Sequence, residues 1–259
     1  MIINIGLMPY LNSVVFYQRM KGEPFHLVPL VPTAMAKAAR EGSIVAGPVP
    51  LLDAIGLEAA WERLGDFCIA TKKKAFSILL FSSVPVEQLQ GKRIGVTDET
   101  SSSARLLRVL LRNHWKVAPE RYVGLKEESE AHLLIGDAAL KSRKGVAGRP
   151  YMYDLGEVWH QWTGLPFVFA TWVVKKDLAK AERNATDLAL RMGITMGIAG
   201  LANAREGRPD LNMTPAEVRE YLEGFDYVLG PGEKKAIEKF TKLVAALPNE
   251  EALHAARQL

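Results

Sequence analysis

The chain has 259 residues, a length that suits one large domain or two lobes. Apolar residues make up 48% and charged residues 24%, which is an ordinary globular balance and excludes a disordered chain. The net charge is only +4, and the 33 basic residues are scattered, so we expect no nucleic-acid partner. The single cysteine, Cys68, excludes an internal disulfide and a cysteine-based metal site.

The first predicted element is a strand at residues 2–7, at the very start of the sequence. No basic and apolar leader comes before it, and no later apolar run has the length of a membrane span. From these features we predict a cytoplasmic protein without a membrane partner.

Short apolar runs alternate with helical patterns over the first two-thirds of the chain. The predicted strands are 2–7, 26–31, 44–48, 76–81, 93–97, 132–135 and 167–174, and the helices between them include 34–41, 102–115 and 158–163. This alternation predicts an α/β fold with mostly parallel sheets. From Asp177 onward the pattern is helical, near 177–205, 215–223 and 233–246, and Asn249 has the features of an N-cap for a last short helix.

A helical segment after a sheet-forming region is explained if the chain builds two lobes and returns to the first. We predict that residues 1–84 and 172–259 form lobe 1 and residues 85–171 form lobe 2. The tail helices then pack on lobe 1. The two crossings would form a hinge, and the cleft between the lobes is a preferred place for a ligand.

Small and polar residues follow several predicted strands. In α/β sheets, ligands bind at the carboxyl ends of strands, so these residues are candidates for a shared site. The candidates are Asn12 after the first strand, Pro48 and Val49 at the end of the third, and Gly136 and Asp137 after the strand 132–135. Asn12 can donate and accept hydrogen bonds, although a turn or cap is an equally ordinary role for it.

Four hydroxyl residues, Thr100, Ser101, Ser102 and Ser103, lie between the strand 93–97 and the helix 102–115. A helix N-terminus exposes free N–H groups and a partial positive charge, so this start can bind a carboxylate or phosphate. The alternative is that one hydroxyl caps the helix and the others are surface residues. The cluster by itself favours the alternative.

The sequence lacks the common cofactor and catalytic motifs. There is no G-x-G-x-x-G after a strand, no Walker A loop, no H-E-x-x-H and no G-x-S-x-G. The five histidines are dispersed, which does not favour a metal site or a histidine base. We therefore expect a function that needs neither cofactor nor metal.

Five motifs in order give the chain a family resemblance. They are GLMPYLNS at 6–13, GPVPLL at 47–52, TSSSARLL at 100–107, LIGDAAL at 134–140 and YDLGEVWHQWTGLPFVFATW at 153–172. Together they resemble chorismate dehydratases of the futalosine-dependent menaquinone pathway. In that family a proline often follows the asparagine of YLNS, whereas Val14 and Val15 are found here.

The resemblance implies a two-lobed fold like that of the type II periplasmic binding proteins, with the helical tail as its C-terminal segment. It also implies a lyase that dehydrates chorismate to 3-[(1-carboxyvinyl)oxy]benzoate, with Asn12 as the catalytic residue. Pro48, Val49, Ser101, Ser102, Ser103, Gly136 and Asp137 would bind the anionic substrate.

Two other functions remain open at this stage. One is a small-anion binding module, either a solute receptor or an effector sensor, although no export signal or DNA-binding segment is evident. The other is the sister enzyme of the same pathway that forms dihydroxynaphthoate, which has a different N-terminal motif and uses a histidine. The sequence predicts no oligomeric state.

Overall fold

The structure is a computed structural model that describes residues 2–201 and 206–248. Eleven strands, β1–β11, and eight α-helices, α1–α8, are found in these residues. The strands are Ile3–Leu7, Phe25–Pro29, Ala46–Pro50, Trp61–Thr71, Ile78–Ser82, Arg93–Val96, Arg121–Gly124, Ala131–Ile135, Tyr151–Asp154, Phe167–Lys175 and Phe225–Val228. The helices are Pro32–Glu41, Leu51–Ile55, Ser102–Val109, Gly136–Ser142, Leu155–Thr163, Lys180–Leu201, Pro215–Glu223 and Pro231–Ala245.

The strands form two separate sheets, which confirms the predicted α/β fold with two lobes. Sheet 1 has the order β11-β4-β10-β3-β1-β2 and sheet 2 the order β7-β6-β8-β5-β9. Both sheets are mixed, because β10 runs antiparallel to β3 and β4, and β5 runs antiparallel to β8 and β9. The expectation of mostly parallel sheets was therefore wrong for these strands.

The chain crosses between the sheets twice, at residues 72–77 and 155–166. Both crossings come earlier than predicted, since β5 was assigned to lobe 1 and the first part of β10 to lobe 2. The hydrogen bonds assign β5 to sheet 2 and β10 to sheet 1. An isolated strand sequence does not record its partner, which is why the boundaries at 84 and 172 were displaced.

Sheet 1 is covered on both faces by apolar clusters. One face packs against α6, α7 and the 3-10 turn Phe16–Arg19, around the fully buried Phe16 and Trp172. Helix α6 approaches this turn so closely that a Cβ on Gly193 would lie 2.7 Å from the Phe16 carbonyl oxygen. The other face packs against α1 around Met35 and Trp61.

Sheet 2 packs against α3 and α5, and the last described helix joins its core. Phe240 of α8 contacts the rings of Trp159 in α5 and Phe167 in β10, so α8 packs against elements of both lobes. The tail helices were predicted to pack on lobe 1; α6 and α7 do so, while α8 also contacts α3. The predicted short helix at Asn249 lies outside the described residues.

The strands β4, β7, β9 and β11 were not predicted. Strand β4 is the longest of the eleven, and its segment Trp61–Thr71 mixes buried and exposed positions without strict alternation. Helix α3 continues into a π-helical turn, Leu110–Trp115, and together they cover the predicted helix 102–115. Within the described residues, no helix has both the length and the apolar character needed to cross a bilayer.

Candidate functional site

A cavity lies between the two sheets, where the ends of several strands meet. Most of its lining is apolar, and its polar groups are hydroxyls and one amide. The lining residues are Met8, Tyr10, Asn12, Pro32, Pro50, Ile69, Ser77, Ile78, Thr100, Ser101, Ser102, Ser103, Ile135, Gly136, Phe169 and Ala170. An apolar cleft with a few convergent polar groups is the usual form of a small-molecule site.

Asn12 is on the loop that follows β1, in a 3-10 turn of residues Leu11–Ser13. Leu11 and Ser13 are buried, which fixes the turn and directs Asn12 towards the cavity. The Asn12 Oδ1 atom accepts a hydrogen bond from Ser13 Oγ at 3.1 Å. Its amide nitrogen donates to none of the described residues, so it is available to a ligand.

The hydroxyl cluster forms the start of α3. Ser101 is the N-cap residue, but no serine side chain makes a capping hydrogen bond. Ser102 and Ser103 are 4% and 5% exposed, and the Ser102 Oγ atom is buried with no described partner. A buried hydroxyl without a partner is costly, and this one lies in the cavity wall beside the N–H groups of α3, where these donors are open to a ligand. The alternative, in which these residues only cap the helix, is not what this geometry favours.

Tyr10 connects the two walls of the cavity. Its hydroxyl donates a hydrogen bond of 2.6 Å to Glu99 Oε2 on the loop before α3, and the Thr33 N–H donates to the Glu99 carbonyl oxygen at 3.3 Å. Burial, and then the bond to Glu99, raises the pKa of Tyr10, so its hydroxyl stays protonated. The ring lies against Gly136, where a Cβ would be 2.8 Å from it.

Asp137 does not line the cavity. It lies in the first turn of α4, where its Oδ1 atom accepts a hydrogen bond of 3.3 Å from the Leu11 N–H. Its Oδ2 atom lies 3.8 Å from Arg208 Nη2. Asp137 therefore braces the loop that carries Asn12, across the gap between the sheets.

Pro48 and Val49 do not line the cavity either. Both are buried inside β3, where they pair with Trp172 and Thr171 of β10, and Val49 packs in the cluster around Met35. Pro50, at the end of the same strand, is the β3 residue that lines the cavity. The candidate strand end was correct, but the strand runs two residues further than the predicted 44–48.

The structure adds Tyr10, Ser77, Ile69 and Phe169 to the candidate site. Ser77 lies on the first crossing, and its hydroxyl donates to the Ala75 carbonyl oxygen and accepts from the Tyr221 hydroxyl at 2.8 Å. Tyr10 stood inside the family-like motif at 6–13 and could have been found there. Ser77 lies in none of the five motifs, and the sequence did not indicate that the chain crosses between the lobes at this residue.

The lining contains no carboxylate, imidazole, amine or thiol among the described residues. Glu99, which precedes the lining residue Thr100, accepts the hydrogen bond of the Tyr10 hydroxyl. Within residues 2–201 and 206–248, no three His, Cys, Asp or Glu side chains come together in a way that could hold a metal ion. The groups that the described cavity offers to a ligand are therefore hydroxyls, one amide, backbone N–H groups and apolar surface.

Comparison with known proteins gives one family and several relatives. A family model described as menaquinone biosynthesis matches residues 3–246. A chorismate dehydratase of Thermus thermophilus is 26% identical over 258 residues, which cover 92% of this chain and 93% of that protein. A 1,4-dihydroxy-6-naphtoate synthase of the same organism is 22% identical over 253 residues, with 92% of each chain covered.

The solved structures support the fold. The CA3427 gene product of Candida albicans, described as having the generic periplasmic binding protein fold, aligns with a TM-score of 0.61 at 9% identity. The alignment covers 96% of this chain and 92% of that one. This likeness confirms the predicted architecture of two lobes with a cleft between them.

Proposed function

Because this chain belongs to the menaquinone biosynthesis family, we propose that it is a lyase that dehydrates chorismate to 3-[(1-carboxyvinyl)oxy]benzoate. In this reaction the ring C–H bond beside the ether oxygen breaks, and its electron pair forms a new ring double bond. The neighbouring C–O bond breaks, and the hydroxyl leaves with a proton as water. Formation of an aromatic ring drives the elimination.

The observation that carries this proposal is a described cavity lining with no side-chain base. The ring proton of chorismate is vinylogously acidic, so a strong protein base is not required. Correct orientation and electrostatic stabilisation can supply much of the rate enhancement. A carboxylate of the substrate itself accepts the proton, while the raised pKa keeps Tyr10 neutral.

Ser102 and the start of α3 would hold a substrate carboxylate. The unpartnered Ser102 hydroxyl and the free N–H groups of the first turn all offer donors to an anion. Asn12 would orient the ring or the departing hydroxyl through its free amide nitrogen. We propose that Asn12 acts chiefly in the transition state, because a donor to the leaving group strengthens as that bond breaks.

The sister dihydroxynaphthoate-forming enzyme is the second candidate, since a relative with that activity covers the same length. The histidine that it is expected to use has no counterpart in the described cavity lining. His26, His132 and His160 are instead bonded to Asn4, Arg149 and the Leu165 carbonyl oxygen. This favours the dehydratase.

A pure binding module is the third candidate, and it predicts binding without turnover. We propose an enzyme of the cytoplasm that needs neither metal nor cofactor, with chorismate as its small-molecule partner. The proposal includes no nucleic-acid partner, in keeping with the small and scattered excess of basic residues.

The direct test is to incubate the purified protein with chorismate and follow the products by mass spectrometry. We expect a product that has lost one water, formed at the same rate with and without a metal chelator. Chorismate that stays intact although it binds would support the binding module. Activity that a chelator abolishes and one metal restores would contradict the metal-free mechanism.

A further inference from the structure

Asp154 connects the two crossings between the sheets. It ends β9 and is the N-cap of α5, and its Oδ1 atom accepts hydrogen bonds from the N–H groups of Gly156 at 2.9 Å and Glu157 at 3.1 Å. The same oxygen accepts from the Ala75 N–H at 3.0 Å, and Oδ2 accepts from the Phe76 N–H at 2.6 Å. An N-cap needs only the first two bonds, so Oδ2 serves the first crossing alone.

The first crossing contains a backbone conformation that needs support. Phe76 has a φ of 56°, in the left-handed region that a bulky residue rarely adopts. The next residue, Ser77, lines the cavity, and its carbonyl oxygen accepts the Gly136 N–H at 2.8 Å. The conformation of Phe76 therefore determines where Ser77 and, through it, Gly136 lie in the cavity wall.

The two crossings also touch each other directly. A Cβ on Gly156 would lie 3.0 Å from the Ala75 nitrogen, from the Ala75 Cβ and from Thr71 Cγ2. Glycine at this position permits the close approach in which one carboxylate reaches both segments. In a two-lobed protein, the residues that connect the lobes are those that absorb closure.

We propose that Asp154 is a positioning residue for the cavity: it ties the two crossings together, holds Phe76 in the left-handed conformation and so sets Ser77 in the cavity wall. Its effect on turnover rests on the proposed function. Its effect on closure of the lobes does not, because solution scattering measures the compaction that accompanies binding and requires no turnover.

Asp154→Asn separates this role from helix capping. Asparagine is as good an N-cap as aspartate, so its one oxygen can still cap α5. The amide nitrogen that replaces Oδ2 is a donor and cannot accept from the Phe76 N–H. Asp154→Ala removes both the cap of α5 and the acceptor for the Phe76 N–H. Comparing it with Asp154→Asn shows the additional effect of losing the cap.

Glu233→Gln is the matched control. Glu233 is 8% exposed, and its Oε2 atom accepts the Gly230 N–H at the start of α8. It undergoes the same carboxylate-to-amide change at a helix start, away from the cavity lining. We expect this variant to keep the parental kcat/KM and the parental compaction on binding.

We expect Asp154→Asn to lower kcat/KM by roughly tenfold, with both kcat and KM affected, because small displacements in a site have large kinetic effects. Solution scattering with saturating product should show a smaller compaction than in the parent. In a Phe76→Gly background the effect of Asp154→Asn should shrink, because glycine adopts a positive φ unaided.

Each outcome decides the proposal. An Asp154→Asn protein with kcat/KM and compaction within twofold of the Glu233→Gln control would overturn it. The proposal would also be overturned if Asp154→Asn lowered kcat/KM by the same factor in the Phe76→Gly background as in the parent. If the parent binds the product but does not turn over chorismate, the proposed function fails, while the scattering comparison still tests the role of Asp154.

Discussion

The two walls of the cavity differ in chemistry. The wall from sheet 1 is apolar, with Met8, Ile69 and Phe169, and its polar groups are the amide of Asn12 and the hydroxyl of Tyr10. The wall from sheet 2 presents the start of α3, with consecutive hydroxyls and free N–H groups. In the proposed function, the sheet 2 wall would therefore anchor the anion, whereas the sheet 1 wall would cover an apolar ring and supply one directed donor.

This difference suggests a division of work. If the α3 side holds the carboxylate in substrate and product alike, changes there should alter affinity first. If Asn12 acts on the departing hydroxyl, a change there should alter the rate constant of the chemical step. Variants of the two walls should then separate in kcat and KM.

Asn12→Ala is expected to have the largest effect. Removing one donor that acts in the transition state lowers kcat by on the order of 100-fold. Steady-state kinetics and a thermal melt provide the measurement, and the melting temperature should stay near that of the parent because Asn12 is only half-buried. A folded variant with near-parental kcat would refute the assignment.

Changes at the start of α3 should come next, and they should act on binding. Ser101→Asp keeps a good N-cap residue but sets a negative charge against the bound carboxylate, so we expect the Kd for product to rise by more than about tenfold. Ser102→Ala should weaken binding by roughly two- to tenfold, the usual value of one hydrogen bond. Isothermal titration calorimetry measures both.

Ser83→Asp is the control for added charge, because Ser83 is an exposed residue of the sheet 2 side whose hydroxyl donates to the Glu130 carbonyl oxygen. It should bind product as the parent does. Parental affinity in both Ser101→Asp and Ser102→Ala would mean that the hydroxyl cluster only starts the helix.

Gly136→Ala should have a smaller effect, on both stability and turnover. Its φ is +56°, which costs about 1–2 kcal/mol for an L-residue, and the new Cβ would press on the Tyr10 ring. We expect kcat/KM to fall by up to roughly tenfold. Gly148→Ala shares the positive φ, with open space around the new methyl, so it should lose stability without losing activity.

The alternation of strand and helix patterns predicted the α/β layers of the fold, but it did not predict which strands pair with one another. Strands 2–7 and 93–97 were predicted because Ile and Val residues, which favour strands, are concentrated in these short segments. Strand β4 was missed, since it alternates irregularly and carries register shifts against β10. Strand pairing is non-local, so the position of β5 in sheet 2 had no local signal.

The candidate site was predictable where a motif and a strand end coincided. Asn12 and Gly136 met both conditions, and both line the cavity. Pro48 and Val49 also belong to a family-like motif near a predicted strand end. They lie inside β3, however, because the strand continues to Pro50. The burial of the Ser102 hydroxyl without a partner depends on the folded structure, so the run of serines in the sequence could not predict it.

Asp137→Asn is expected to have the smallest effect, and it tests whether Asp137 is a brace or a base. Asparagine keeps an oxygen for the Leu11 N–H and loses only the partly exposed ion pair with Arg208, so kcat/KM should stay within about threefold. Burial raises the pKa of Asp137, against the opposing effects of Leu11 and Arg208. A base must be deprotonated to act, so with Asp137 as the base the parent would lose activity as pH falls through this raised pKa. We expect the acidic limb of the pH profile to be the same in Asp137→Asn and the parent; a nearly inactive variant that has lost this limb would make Asp137 the proton acceptor.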